Sequence, residues 1–449
     1  MTSVTGEARE RVPVVSLAGV ARVCNPSIPL DPDEDSALRV DVSAARPSEH
    51  LRMIVPNIRQ AGSTPTRWLI TGHEGTGKTT DMKLLQRQLE QVEHADSADG
   101  RRVKFPAAKV LFVDASPPVS PTRPMDVTDL LLAIWQALES TDWDASKKVL
   151  LEVWKTRIND ALAKTVKNLP EKVGAAIAHL APFLRGSEAS HVELQQSLQR
   201  TEAALMQGLN DAFEVFRRTD STVSVVLIID NLEKLASRGF EARQLVSAFA
   251  NRVGSLSALS AHIILTIPVA LAYSSDGRAI SNALSAEMFT VPHLRVRGRD
   301  ARQGPCREGV ELMSTFVTRR IDRRLFDTPE DTLHDAAAAS GGNFRELLRL
   351  VGSAQKFAIA RGANSISGDD LRHVIARSVQ QYESHGLERH ASLLAAVERT
   401  CARPKECDDA TWFDLLARLY VLELEDGEGR FFVTHPLVLR TRAVQEAAR

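Results

Sequence analysis

The chain has 449 residues, room for two or three domains of roughly 100–200 residues each. Hydrophobic residues make up 43% and charged residues 25%, the balance of a soluble protein with a sizeable core. Lys and Arg total 56 against 57 for Asp and Glu, so the chain carries no overall basic footprint for nucleic acid, although a local patch is not excluded. Cys24, Cys306, Cys401 and Cys407 are scattered, with no C-x-x-C pair and no histidine at metal-ligand spacing. They read as reduced structural thiols of a cytoplasmic protein. Glu7, Glu10 and Arg22 spoil the apolar stretch at 12–23 as a signal peptide. No run reaches the roughly 18 apolar residues of a spanning helix.

From the N-terminus, residues 1–39 read as an extended lead-in, with Pro26, Pro29 and Pro32 in it. Ser48 then caps a helix to about residue 60, bent at Pro56. Residues 67–71 form a short buried strand, and a helix covers 79–93. A second strand at 109–115 is ended by Pro117, Pro118 and Pro121. A helical insert of about 126–219 precedes the third strand, 223–230. Within it, the apolar stretch 173–184 is too short to span a membrane and reads as core. A helix at about 241–253, a strand at 262–267 and another around 289–296 follow. Near-continuous apolar strands alternating with helices predict an α/β fold whose parallel sheet is covered on both faces.

Between the first strand and its helix lies Gly72-His73-Glu74-Gly75-Thr76-Gly77-Lys78-Thr79, followed by Thr80. It matches G-x-x-x-x-G-K-[ST] at every fixed position. Glycines let the backbone wrap closely around phosphate, Lys78 reaches the β and γ phosphates, and the Thr79 hydroxyl ligates Mg2+. The helix that starts here adds the positive end of its dipole. The strand 225–229 delivers Asp230 at its C-terminal end, where a carboxylate can hold Mg2+. The pattern predicts ATP and Mg2+ as cofactors. Adenine contacts are expected in the segment before the loop, about 40–54.

With these residues in place, the chain resembles AAA+ ATPases. Thr266, near the end of strand 262–267, is placed like a sensor 1 residue. Gly341-Gly342-Asn343-Phe344-Arg345-Glu346-Leu347 looks like the lid sequence of the origin-recognition-like branch and of related STAND signalling ATPases. The resemblance implies that Arg345 is a sensor 2 arginine reaching the γ-phosphate. It also implies a P-loop core over about 40–325 and a helical lid over 326–382.

Two departures matter. Asn231 stands where such ATPases carry the catalytic glutamate, and an amide orients water without taking its proton. Glu233, two positions on, is the substitute carboxylate, and slow hydrolysis is expected. Lys78 and Asp230 are also 152 residues apart, because of the helical insert.

Arg295, Arg297, Arg299, Arg319 and Arg320 are candidate arginine fingers for a neighbouring subunit, which would imply a homo-oligomer. Residues 383–449 carry two helices and a hairpin around Asp426-Gly427, which resembles a winged-helix domain. Its hairpin holds Glu423, Glu425, Asp426 and Glu428 against Arg430, which favours protein contacts over DNA. The reading is a nucleotide-dependent switch acting on a protein partner or separate effector, with bacterial defence or stress signalling implied by the STAND resemblance. The alternative is a DNA-associated factor of initiator or transposition-regulator type.

Overall fold

A computed structural model of the chain describes residues 12–26, 28, 30–31, 34–96, 102–115, 127–153, 188–232, 252–300 and 304–449. Backbone contacts divide it into two units. The first comprises Met1–Ser48, Gly72–Thr80 and Val291–Arg449; the second comprises Glu49–Thr71 and Asp81–Thr290. Glu233, the apolar stretch 173–184 and most of the helix expected at 241–253 lie outside the described residues.

The second unit is built on a five-stranded sheet. Its strands are β1 (Arg67–Gly72), β4 (Lys109–Asp114), β5 (Val225–Asp230), β6 (His262–Pro268) and β7 (Glu287–Thr290), with β2 (Glu93–Asp96) and β3 (Arg102–Phe105) forming a separate pair. The sheet order is β4-β5-β6-β1-β7, and the recorded pairings of β4 with β5, β5 with β6 and β1 with β7 are parallel. Every residue of β5 and β6 is buried, which is why their sequences run apolar without alternation. Helices Glu49–Ala61 and Val127–Glu139 pack against β7 and β4 respectively.

Two expectations need correction here. The helix after the glycine-rich loop stops at Leu89, and Glu93 instead opens the antiparallel β2–β3 pair. That pair is short and polar, so it leaves no apolar periodicity to read. The last strand is Glu287–Thr290, and residues 291–296 run on without ladder pairing.

β1 starts where it does because of one histidine. His262 is 1% exposed; its Nε2 lies 2.7 Å from the Gly62 carbonyl, and its Nδ1 accepts from the Thr66 amide at 3.1 Å. These bonds fix the tautomer and tie the turn before β1 to the start of β6. Ser224 donates to the same Gly62 carbonyl at 2.6 Å.

The first unit is helical. Leu17–Val23, Arg307–Thr318, Pro329–Ser340, Phe344–Ala360 and Gly368–Glu383 share one apolar core with Val14, Leu294, Ile321 and Ile366. The lead-in is therefore not extended throughout: Leu17, Val20 and Cys24 turn inward from a short helix, and the Gln355 amide donates to the Leu17 carbonyl at 2.8 Å. Beyond this core lie helices Ala391–Thr400 and Asp409–Ala417 and an antiparallel hairpin of β8 (Val421–Asp426) and β9 (Gly429–Thr434). All four cysteines are free thiols, and burial pushes Cys24 up to about 12.

Replacing His262 with Phe leaves the Gly62 carbonyl and the Thr66 amide without their ring partner. The expected cost is about 2–4 kcal/mol, read as a lowered urea midpoint at unchanged m value.

Candidate phosphate-binding site

The loop leaves β1 at Gly72 and enters the helix Lys78–Leu89. Three successive carbonyls along it are held by donors from elsewhere in the first unit. The Asn343 side-chain amide donates to the Glu74 carbonyl at 2.7 Å, and the Phe344 backbone amide donates to the Gly75 carbonyl at 3.0 Å. The Arg46 guanidinium, on a residue only 3% exposed, donates to the Thr76 carbonyl. In a planar trans peptide the C=O and the following N–H point in opposite directions. Fixing the carbonyls of Glu74, Gly75 and Thr76 outward therefore turns the N–H groups of Gly75, Thr76 and Gly77 to the other side, as an anion cradle requires.

Gly75 shows why the spacing needs glycine. Its φ is +82°, and a Cβ there would lie 2.1 Å from Asn343 Oδ1 and 2.8 Å from the Arg345 Cβ. The close approach of Asn343 and Arg345 to the loop depends on the missing side chain. Asn343 also caps the helix Phe344–Ala360, its Oδ1 accepting from the Glu346 amide at 3.0 Å. One side chain thus orders both the helix start and the loop.

Lys78 is buried, and its ammonium donates to the Gly72 and His73 carbonyls at 2.7 Å each. Thr76 Oγ1 also donates to the His73 carbonyl, at 3.0 Å. The Arg345 guanidinium, matched by resemblance to a γ-phosphate sensor, is bonded at 2.8 Å to the carboxylate of Glu74 in the loop itself. Both side chains are partly exposed, so the pair contributes at most about 1 kcal/mol and is easily exchanged for another anion.

His73 occupies a variable position of the motif, yet it is 2% exposed and stacks on the fully buried His293 with ring centroids 4.9 Å apart. Burial, with the charge of Lys78 second, holds His73 down to about 3; a bond to the Leu416 backbone pulls weakly the other way. Burial likewise holds His293 well below its ordinary value and His435 down to about 4. Neither ring nitrogen of His293 has a hydrogen-bond partner among the described residues. Nothing in the spacing of the sequence marks this stack.

In the second unit, the sheet's C-terminal edge carries the remaining predicted residues. Asp230 ends β5 and Thr266 lies near the end of β6, both fully buried. Asn231 follows with a left-handed φ of +74°, and its side-chain amide donates to Asp114 Oδ1 at 2.8 Å. Thr79 and Thr80, which belong to the first unit, open the helix after the loop and are half-buried.

The arginines expected to serve a neighbour are largely engaged within the chain. Arg297 pairs with Glu398 at 2.6 Å, and Arg299 forms a two-point bond with Asp426 at 2.9 and 3.2 Å while stacking on Phe431 at 4.5 Å. Arg320 is buried over the Phe316 ring at 3.7 Å, and Arg319 donates to the Arg39 carbonyl. The acidic hairpin and the arginine run meet each other; that is the physical reason both looked unbalanced in the sequence. Residues 294–299 are not a strand, the only bridge there being Arg297 with Pro305 among the described residues.

No family model matches the chain, and no curated protein does either. Among solved structures, the chain is similar to the ORC2 protein of Aeropyrum pernix in its ADP form, at 15% identity and a TM-score of 0.44, covering 95% of this chain and 96% of that one. A Walker-type ATPase of Pyrococcus abyssi gives 13% identity and a TM-score of 0.42, covering 92% and 98%. The RuvB Holliday junction branch migration motor of Thermotoga maritima gives 10% and 0.32, covering 88% and 95%. These are distant likenesses; the chemistry of the site rests on its own residues. Those define an α/β P-loop protein, with a parallel sheet, a glycine-rich phosphate loop at the end of β1 and a carboxylate at the end of β5.

The buried histidines set an acid limit to stability. His73, His293 and His435 stay neutral when folded but protonate near pH 6.5 when unfolded. Folding stability is therefore retained above that pH and falls as pH drops towards 4, by up to about 1.4 kcal/mol per pH unit for each histidine. Urea midpoints measured between pH 7 and 4.5 should show this slope, and His293→Phe should reduce it by one proton's worth.

Proposed function

We propose that the chain binds ATP with Mg2+ and acts as an AAA+/STAND-like nucleotide-dependent switch with slow hydrolysis. The outward clamping of the Glu74, Gly75 and Thr76 carbonyls is the observation that carries this reading, because it supplies a set of amides oriented before any phosphate arrives. Lys78 exchanges its bonds to the Gly72 and His73 carbonyls for phosphate oxygens. Thr79 and Asp230 hold the metal, whose part is to neutralise charge on the phosphates. Gly72, His73, Glu74 and Thr80 complete the loop's walls.

Thr266 and Arg345 read the γ-phosphate. For Arg345 this means leaving Glu74, and because Arg345 opens the helix Phe344–Ala360, the exchange passes directly into the lid. The hairpin and its two helices form a winged-helix-like output unit. Its hairpin carries Glu423, Glu425, Asp426 and Glu428 against Arg430 alone, so that unit suits a protein partner or a second copy of the chain better than DNA. No helix among the described residues is long and apolar enough to cross a membrane.

Lys78→Ala should abolish ATP binding measured by titration calorimetry, and undiminished affinity would overturn the reading. Turnover of the purified chain should stay below about one per second. Mass photometry should show ATP-dependent assembly that duplex DNA does not alter. Assembly that follows DNA instead would assign the chain to the DNA-associated class.

A further inference from the structure

The phosphate loop carries an anion of its own. Glu74 stands at a variable position of the motif, between His73 and Gly75. A negative charge there opposes the ligand for which the loop amides are turned. Arg345 covers it, its Nη1 donating to Glu74 Oε2 at 2.8 Å. The backbone of the same residue is held separately, by the Asn343 side-chain amide on the Glu74 carbonyl at 2.7 Å.

Arg345 also needs an anion for local reasons. It lies in the first turn of the helix Phe344–Ala360, where the positive end of the dipole disfavours a cation. The next charges along the helix give no relief, because Glu346 and Arg349 bond each other at 2.5 and 2.8 Å. Arg345 Nε is buried and has no hydrogen-bond partner among the described residues. The guanidinium is therefore pressed against the loop, through the missing Cβ of Gly75, with its donors only partly used. Carboxylate and phosphate oxygens take those donors in the same way, so one anion can replace the other.

We propose that Glu74 is an internal stand-in for the terminal phosphate and sets how strongly the chain prefers ATP to ADP. The inference rests on the reading of Arg345 as the residue that meets the γ-phosphate. ADP is one phosphate shorter and leaves the Arg345–Glu74 bond in place. ATP gains the arginine only by displacing Glu74, so its advantage is the difference between two similar bonds. The lid helix begins at this arginine. The contact that sets the preference therefore also sets the ATP concentration at which the proposed switch turns.

The test is calorimetric titration of the full chain, with Mg2+, by ADP and by the non-hydrolysable β,γ-imido analogue of ATP. The quantity read is the Kd for ADP divided by the Kd for the analogue. Glu74→Gln keeps the backbone carbonyl for Asn343 and removes the competing charge. It should raise the ratio about three- to fivefold, the scale of one partly exposed ion pair. In an Arg345→Gln background Glu74 has nothing to withhold, and repulsion by its bare charge weakens both nucleotides and largely cancels. Adding Glu74→Gln there should move the ratio by less than about twofold. An equal rise with and without Arg345 would assign the effect to charge alone and overturn the inference, as would an unchanged ratio in Glu74→Gln. A wild-type ratio in Arg345→Gln alone would remove the γ-phosphate role of the arginine, and this inference with it. Binding of neither nucleotide by the wild-type chain would remove the ATP reading itself.

Discussion

The phosphate loop depends on groups outside it. Glycines alone make a loop that can wrap an anion but that also samples many other shapes, at a conformational cost of order 1–2 kcal/mol per residue ordered. Here the Asn343 side chain, the Phe344 amide and the Arg46 guanidinium each hold one carbonyl of the loop. The ordering is done by the fold, and peptide planarity converts three held carbonyls into three presented amides. The missing Cβ of Gly75 allows the approach, and the cap on the helix Phe344–Ala360 fixes the donor that makes it.

The same contacts explain how a local event can spread. Glu74, Asn343 and Arg345 join the loop to the first turn of a long helix whose apolar face belongs to the core of the first unit. His73 and His293 join the loop's other side to the C-terminal hairpin region, where the His293 amide donates to the Glu423 carbonyl at 3.0 Å. In the proposed switch, a phosphate group that draws Arg345 from Glu74 would change one end of this chain of contacts. The His73–His293 stack is buried with both rings held neutral, so its packing depends on pH.

Much of the sheet was readable in the sequence because buried parallel strands must be apolar throughout, as the runs at Val225–Asp230 and His262–Pro268 are. The pair Glu93–Asp96 and Arg102–Phe105 was not, since four-residue polar strands carry no such signal. The loop residues themselves follow from the chemistry of phosphate. Asn343 stood in a recognisable string, but its bond to the loop depends on tertiary contact, as does that of Arg46 in a segment read as adenine-binding. The bond from Asn231 to Asp114 likewise joins two strand ends that only the structure brings together. The arginines at 295–320 illustrate the converse. Residue type and clustering suggested an intermolecular role, and distances of 2.6 to 3.2 Å to Glu398 and Asp426 show where Arg297 and Arg299 act.

In the proposed ATP site, the donors outside the loop are what hold it in shape for phosphate. Asn343→Ser keeps an oxygen able to cap the helix but removes the amide that reaches the Glu74 carbonyl. ATP affinity measured by calorimetry should fall about three- to tenfold, as expected for one lost hydrogen bond, with thermal stability nearly unchanged. Wild-type affinity in that variant would show that the loop holds its shape unaided and would contradict the account.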